Sequence, residues 1–274
     1  MKKTDYRILQ NALRTTGRYE TLAEARPKRP SKKSAWLGLR CAKIVCWDVM
    51  CRCAGRRIFS TFDHNAWADI CMSSINFAEG VGTQVTMDGF EQRAAHKGPV
   101  VYVSNHMSTF ETVVYPVVLN TFDKLSIILK KSLTEIPLIG QSAIILGCIP
   151  VTRKNAREDL VTVLEEGAKR LQSGMSVLLF PQGTRQSVFE MKRFNSLGAK
   201  LAERANVPLV AIAAQTDFLE NGKLIKDFGP VDPAKPVRFK ASPLFMPELG
   251  AKKMHEQSVS FIYEQLKAWG LPTA

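Results

Sequence analysis

The chain has 274 residues, of which 45% are hydrophobic, and it carries a formal net charge of +13 at pH 7. This length and composition suit one large α/β domain with an appendage, or two small domains, around an ordinary hydrophobic core. No stretch of 18 or more uncharged apolar residues occurs, so the sequence predicts no membrane-spanning helix.

The positive charge is concentrated at the start of the chain. Residues 1–60 contain fifteen Lys/Arg and four Asp/Glu, and they therefore hold +11 of the net charge. Such a basic segment favours a polyanionic partner, either nucleic acid or the phosphates of a membrane surface. Asp5, Arg7 and Arg14 interrupt any apolar run of a signal peptide, so we expect a cytoplasmic protein with reduced cysteines.

The first 79 residues divide into two predicted segments. Residues 1–33 are polar and basic and contain "RPKRPSKKS", which predicts a flexible arm. Residues 34–79 predict two amphipathic helices, over Ala35–Cys53 and Phe62–Ala78, with tryptophan and arginine among their side chains. This composition is typical of a membrane interface, but it also fits a helical hairpin packed on its own core, and both can hold at once.

Cysteines cluster in the first of these helices, at Cys41, Cys46, Cys51 and Cys53. Zinc sites usually pair their cysteines two to four residues apart, twice over, and this cluster does not. We therefore expect small apolar fillers on helices and predict no metal site.

Residues 80–274 alternate between apolar strands and amphipathic helices. Helices are predicted over Asn155–Gln172 and Met254–Trp269, where apolar residues follow the 3.6-residue period. The alternation predicts an α/β domain with a mixed, largely parallel sheet flanked by helices, preceded by the amphipathic helical pair. The predicted strands are "GPVVYVS", "KLSIILK", "GCIPVT", "MSVLLFP", "VPLVAIAA" and "KPVRFKAS".

A histidine and an acid follow the first of these strands, in "SNHMSTFE". His106 could act as a general base, with Glu111 orienting the imidazole and stabilising its protonated form. The alternative is structural, because Ser108 and Glu111 also fit a capping box at the start of a helix.

Cations follow three other strands. In "FPQGTR", Gly183 allows a tight turn whose backbone amides can point at an anion, and the Arg185 guanidinium matches phosphate geometry. Lys130, Lys131 and Arg153 follow neighbouring predicted strands. Together these residues predict an anionic substrate near His106, although each cation alone would be an ordinary solvated charge. The chain lacks the Gly-x-Ser-x-Gly elbow, the Walker loop and the Gly-x-Gly-x-x-Gly turn, which disfavours a serine hydrolase or a nucleotide enzyme.

Four ordered blocks between residues 80 and 217 resemble the glycerophospholipid acyltransferases, especially bacterial 1-acyl-sn-glycerol-3-phosphate acyltransferases. "NHMSTFE" is similar to the family's Asn-His-x-x-x-x-Asp, with Glu111 at the acid position. "CIPVTR" resembles Ile-Pro-Val-Asp-Arg with Thr152 in place of the acid, and "FPQGTR" resembles Phe-Pro-Glu-Gly-Thr-Arg with Gln182 for glutamate. "VPLVAIA" resembles the fourth block, with Ala211 where a second proline often stands.

This resemblance implies transfer of a fatty acyl group from acyl-CoA or acyl-carrier protein to a lysophospholipid hydroxyl, with no other cofactor and no metal. The acceptor would be 1-acyl-sn-glycerol-3-phosphate and the product phosphatidic acid. His106 would take the hydroxyl proton and Glu111 would orient it, with Asn105 and Gln182 in support. The residues implied in binding the acceptor phosphate are Arg185, Arg153, Lys131, Gly183 and Thr184.

The resemblance also implies a peripheral protein on the cytoplasmic face of the cell membrane, bound there through its N-terminal helical pair. Two other hypotheses remain open. One is a non-catalytic or altered-specificity lipid-binding member of the same fold. The other is a nucleic-acid binder, which the lack of aromatics within the basic "RPKRPSKK" disfavours, so no nucleic acid is expected as a partner.

Overall fold

The computed structural model describes residues 3–222 and 227–274 of the chain. It divides into two compact units, each made of three segments. Unit 1 contains residues 1–94, 107–121 and 214–240, and unit 2 contains residues 95–106, 122–213 and 241–274. These units differ from the three consecutive segments predicted from the sequence, 1–33, 34–79 and 80–274, because the chain alternates between them.

Helices and strands alternate along the described chain, and all six predicted strands are confirmed. The α-helices are α1 (Tyr6–Thr16), α2 (Ala35–Ala42), α3 (Met50–Ile58), α4 (His64–Val81), α5 (Glu91–Ala95), α6 (Phe110–Leu119), α7 (Gly140–Ile145), α8 (Ala156–Gln172), α9 (Leu197–Ala205) and α10 (Gly250–Ala268). The strands are β1 (Tyr19–Glu20), β2 (Val85–Asp88), β3 (Val101–Ser104), β4 (Lys124–Lys130), β5 (Ile149–Val151), β6 (Met175–Leu179), β7 (Leu209–Gln215) and β8 (Val237–Ala241).

The start of the chain is folded into unit 1, so the prediction of a flexible arm over residues 1–33 is wrong. Helix α1 buries Tyr6, Leu9 and Leu13, which share one face at helical spacing. The Thr4 and Tyr19 hydroxyls both donate to the carboxylate of Glu79, at 2.8 and 2.6 Å. An amphipathic helix can pack with only a few apolar residues on one face. The composition of residues 1–33 as a whole is basic, so it did not reveal these three.

Strand pairing in unit 1 is mixed. Strand β1 runs antiparallel to β2, and β2 runs parallel to β8. Helix α4 packs against α6, and α1 contacts both of these helices. Unit 1 therefore contains one antiparallel and one parallel pair of strands.

The predicted helical pair is present and has both a packed side and an exposed side. A π-helical stretch over Lys43–Val49 joins α2 to α3, and these three together form the first helix of the predicted pair. The second helix of the pair is α4. Leu37, Val45 and Val49 are buried, which confirms that the pair packs within the unit. Trp36 and Trp47 remain 61% and 63% exposed. Binding of this side to a membrane stays a prediction.

In the part of the chain that the structure describes, no helix combines the length and the apolar composition needed to cross a bilayer. Within the cysteine cluster, the prediction of small apolar fillers is confirmed for Cys41 and Cys53, which are buried, whereas Cys51 is half-buried and Cys46 is exposed. Burial raises the pKa of the Cys41 and Cys53 thiols to about 12.

Unit 2 is built on five parallel strands in the order β7-β3-β6-β4-β5. Strands β3 and β7 are buried along their whole length, as expected for strands covered on both sides. Helices α8, α9 and α10 pack against one another, and their apolar residues join those of the strands in one core. The predicted fold class is confirmed, and the carboxyl ends of all five strands lie at one edge of the sheet.

Candidate active site

His106 lies two residues beyond the end of β3, at the carboxyl edge of the unit 2 sheet. Its side chain is half-buried, and its ring stacks on Phe180 with a centroid distance of 4.3 Å and an interplanar angle of 23°. Its backbone N–H donates to Gln182 Oε1 at 2.9 Å, and its carbonyl accepts from the backbone N–H of Gln186 at 2.9 Å. The structure therefore brings the first and third motifs together, as the sequence predicted.

Gln182 connects the histidine to the following turn through both ends of its amide. While Oε1 accepts from the His106 backbone, Nε2 donates to Gln186 Oε1 at 2.8 Å. A glutamate oxygen would accept the same backbone hydrogen, so the position of His106 does not require a carboxylate at residue 182. Sequence reasoning missed Gln186 as its partner.

Gly183 forms the tight turn that the sequence predicted, with a φ of +70°. Its N–H donates to the carbonyl of Phe180 at 2.9 Å, and its own carbonyl accepts from Arg153 Nη1. The prediction that the turn's amides point at an anion is therefore wrong for Gly183, because that amide closes the turn itself. Thr184 follows it with an exposed side chain.

A carboxylate from α8 holds Arg153 in place. Asp159 accepts the backbone N–H groups of Arg153 at 2.7 Å and Thr152 at 2.8 Å, and it also accepts the Thr152 hydroxyl at 3.0 Å. Arg153 itself has a φ of +58°, a conformation that side-chain-bearing residues rarely adopt. The acid that the family motif carries at residue 152 is absent, and the carboxylate at this turn comes from Asp159 instead. Apart from helical spacing, no sequence signal pointed to Asp159.

The two arginines act on each other electrostatically. Burial lowers the pKa of Arg153, Asp159 raises it, and the neighbouring positive charge of Arg185 lowers it again. Two guanidinium groups that repel each other favour the binding of an anion that neutralises both. Lys131 is exposed on the turn after β4, and it is not among the charged groups that shift the pKa of Arg153. Its role in phosphate binding stays a prediction.

Glu111 belongs to unit 1 and is completely buried. Its Oε1 accepts the backbone N–H groups of Met107 at 2.6 Å and Ser108 at 2.9 Å. Its Oε2 accepts the hydroxyls of Ser108, at 2.8 Å, and of Thr216. The Ser108 hydroxyl also accepts the N–H of Phe110 at the start of α6. These contacts confirm the capping alternative.

The same contacts give Glu111 a position that depends on tertiary structure. Met107 and Ser108 directly follow His106 in the chain, and Glu111 fixes the backbone N–H groups of both. Thr216 is 105 residues away from Glu111 in the sequence. Sequence reasoning missed Thr216, although its place just beyond β7 is a strand end of the kind that marked the other site residues.

A cavity of about 470 Å³ lies beside the Arg153 turn in unit 2. Most of its wall is apolar, and its charged members are Arg153, Lys200 and Asp159. Such a lining suits a ligand that has a long apolar part and an anionic part. The aliphatic lining includes Ile128, Val151, Leu160, Val163, Leu179 and Leu197.

Residues 84–215 match the family model described as Acyltransferase. This match spans 132 of the 274 residues and makes this segment similar to that family. The matched segment contains all four of the sequence blocks, and it includes His106, Glu111, Arg153 and Arg185.

Two curated relatives show the same likeness. The 1-acyl-sn-glycerol-3-phosphate acyltransferase of Pseudomonas aeruginosa is 35% identical over 115 residues, which cover 42% of this chain and 44% of the relative. The enzyme of the same name from Chlamydomonas reinhardtii is 32% identical over 157 residues, which cover 57% of this chain and 44% of the relative. The matched parts thus span less than half of the length of these relatives.

The fold has a solved counterpart in the crystal structure of the 1-acyl-sn-glycerophosphate (LPA) acyltransferase PlsC from Thermotoga maritima. The similarity has a TM-score of 0.58 and covers 85% of this chain and 95% of that chain. Sequence identity is 19%, so this similarity establishes the fold alone.

Proposed function

We propose that this protein is an acyltransferase that moves a fatty acyl group to the hydroxyl of 1-acyl-sn-glycerol-3-phosphate, giving phosphatidic acid. Two relatives of the matched segment bear the name of this activity. The observation that carries the proposal is the position of His106, stacked on Phe180 and hydrogen-bonded through its backbone to the turn that leads to Arg185.

The chemistry requires one base and no covalent enzyme intermediate. The His106 imidazole takes the proton of the acceptor hydroxyl while the hydroxyl oxygen attacks the thioester carbonyl of the donor. The carbon–sulfur bond then breaks, and the departing thiolate receives that proton from the imidazolium. A positioned base of this kind contributes about 10²–10⁴-fold to a rate. Glu111, the acid of the same motif, is the residue we expect to orient the ring.

Acceptor binding is assigned to the arginines. A lysophosphatidate phosphate carries up to two negative charges, and Arg153 and Arg185 present two mutually repelling guanidinium groups. The aliphatic cavity beside Arg153 suits the apolar part of such a lipid. The donor is acyl-CoA or acyl-carrier protein, and Lys131 and Thr184 are further candidates for contacts with phosphate.

The protein acts at the cytoplasmic face of the cell membrane as a peripheral enzyme. The exposed Trp36, Leu39 and Trp47 lie on the basic helical pair, whose composition is typical of helices that lie in a bilayer interface. Lys and Arg near an anionic surface each contribute about 1 kcal/mol of attraction. The concentration of positive charge in residues 1–60 fits this role.

The decisive experiment is acyl transfer by the purified protein from radiolabelled acyl-CoA to lysophosphatidate in detergent micelles. We expect His106→Ala to lower kcat by about 10²–10⁴-fold without changing the melting temperature, because His106 is half-buried and its backbone bonds remain.

A matched control is His255→Ala, which removes a half-buried histidine on α10 that stacks on Phe194. This control should keep full activity. Unchanged transfer in His106→Ala would leave the non-catalytic lipid-binding alternative as the better account.

A further inference from the structure

Unit 2 exposes five aliphatic side chains between β4 and β5. They lie within residues 133–145, and we call them the aliphatic ridge. Ile144 and Ile145 on α7 are 66% and 50% exposed, and the other members are exposed by about two fifths. The members of the ridge are Leu133 (39%), Ile136 (41%), Leu138 (39%), Ile144 and Ile145.

The ridge is held in shape by its own backbone. The N–H of Gly140 donates to the carbonyl of Ile136 at 3.0 Å, and the N–H of Thr134 donates to that of Lys131 at 2.9 Å. A Cβ at Gly140 would come within 1.9 Å of the Thr134 carbonyl oxygen, so this close turn requires glycine. Leu138 has a φ of +74°, which is unfavourable for leucine. The segment therefore displays its aliphatic side chains from a defined turn.

The position of the ridge in unit 2 relates it to the candidate site. It begins directly after β4, at the carboxyl edge of the parallel sheet. His106 follows β3 at this edge, Arg153 follows β5, and the turn with Gln182 follows β6. A substrate that reaches these residues approaches the edge at which the ridge begins. Helix α7 then leads Ile144 and Ile145 back towards Gly147, whose carbonyl accepts from the Ser126 hydroxyl in the first half of β4.

The charge around the ridge is positive. Residues 124–157 contain six Lys/Arg and one Asp/Glu. Lys130 and Lys131 are both exposed and immediately precede the ridge, and Glu135 is the acid within it. Isoleucine and leucine with flanking lysines are typical of segments that insert into the headgroup region, where the lysine stems extend along the apolar layer.

We propose that the aliphatic ridge docks unit 2 onto an anionic lipid bilayer, as a second membrane contact besides the N-terminal helical pair. The inference rests on the proposed function in so far as the substrate is a lipid taken from that bilayer. The ridge inserts its five aliphatic side chains among the headgroups, and Lys130 and Lys131 bind lipid phosphates beside it.

The test is flotation of the full chain with vesicles of phosphatidylethanolamine and phosphatidylglycerol. We expect Ile144→Asp combined with Ile145→Asp to lower the vesicle partition coefficient by about tenfold or more, since two inserted side chains are lost. The matched control combines Val161→Asp with Met246→Asp, two unit 2 residues that are 47% and 44% exposed outside the ridge. Equal partitioning of the two double variants would overturn the proposal.

A second measurement uses the unaltered protein, so it does not depend on the folding of a variant. Amide hydrogen exchange should slow across residues 133–146 when the same vesicles are added. Slowing confined to residues 35–58 would overturn the proposal. A change of oligomeric state in the ridge variant, with unchanged vesicle partitioning, would also overturn it and would assign the ridge to contacts between copies.

Micelle assays separate this proposal from the proposed function. Acyl transfer in detergent needs no bilayer, so the ridge variant should keep transfer there close to that of the unaltered protein. If the unaltered protein lacks transfer in micelles but shows ridge-dependent partitioning, the proposed function fails and the ridge proposal stands. If the unaltered protein shows transfer in micelles but its vesicle partitioning does not depend on the ridge, the ridge proposal fails and the proposed function stands.

Discussion

Two of the four departures from the family motifs, Glu111 and Gln182, lie in contrasting environments. Glu111, in unit 1, is fully buried and accepts hydrogen bonds from two backbone N–H groups and two hydroxyls. Gln182, in unit 2, is half-buried beside the exposed Gly183 turn, and its amide joins His106 to Gln186. Glu111 is a negatively charged acceptor surrounded by several fixed donors. Gln182 is a neutral group that accepts one hydrogen bond and donates another.

The contrast separates positions where a substitution changes stability from positions where it changes binding. A buried acceptor with four donors cannot be replaced without leaving some donors unpaired. The half-exposed turn can exchange one polar partner for another, or for water. Both of these departures therefore keep the local hydrogen bonds intact, Glu111 by keeping the carboxylate and Gln182 by keeping an acceptor oxygen.

The largest expected effect is at Glu111. Glu111→Ala should destabilise the protein by roughly 3 kcal/mol or more, since it leaves several buried donors unpaired. Urea unfolding should show the loss, together with strongly reduced acyl transfer at temperatures where the variant is folded. Glu111→Gln tests the charge separately, because it keeps the size and one acceptor oxygen. A stability of the alanine variant equal to that of the unaltered protein would contradict the buried network.

The next effect is expected at the arginines. Arg185→Ala should raise KM for lysophosphatidate about tenfold to a hundredfold, since a charge-assisted hydrogen bond to phosphate contributes about 1.5–3 kcal/mol. The free energy of unfolding should change little, in contrast to Glu111→Ala. Steady-state kinetics with varied acceptor provide the measurement, and Arg204→Ala on α9 serves as a control for the loss of one positive charge. An unchanged KM would remove Arg185 from the phosphate site.

A smaller effect is expected at Thr216. Thr216→Val keeps the shape of the side chain but removes the hydroxyl that donates to Glu111 Oε2. We expect a loss of about 1–2 kcal/mol in the free energy of unfolding, the usual cost of one buried hydrogen bond. Thr216→Ser, which keeps the hydroxyl, should recover most of that stability. If valine and serine have the same effect, the hydroxyl is not what stabilises the carboxylate.

The smallest effect is expected at Gln182. Gln182→Glu restores the family residue and should change stability by less than about 1 kcal/mol, because Gln186 can turn its amide to donate. Acyl transfer should stay within a few-fold of that of the unaltered protein. The double variant Gln182→Glu with Gln186→Leu removes that donor and should be clearly less stable than the single one. Equal stabilities would show that the Gln182–Gln186 contact has no energetic role.

Local sequence pattern predicted more of unit 2 than of unit 1. Strands β3 to β7 and helix α8 were predicted because their apolar periods are long and are bounded by clear turns and caps. Asn155 caps α8 as expected, accepting from the N–H groups of Arg157 and Glu158. Strands β1 and β2 are short, and α1 lies in a basic segment, so no local pattern distinguished them from a flexible arm.

The sequence by itself determined the strand-and-helix order, the tight turn at Gly183, and the placement of His106 and Arg153 beyond the ends of parallel strands. These features depend on contacts between near neighbours or on rules common to all parallel sheets. Only the tertiary structure decided that Glu111 meets Thr216, that Arg153 donates to the Gly183 carbonyl, and that the His106 backbone bonds Gln182. These hydrogen bonds join residues that are far apart in the sequence and meet only through packing. They therefore produce no periodic pattern from which the partners could be predicted.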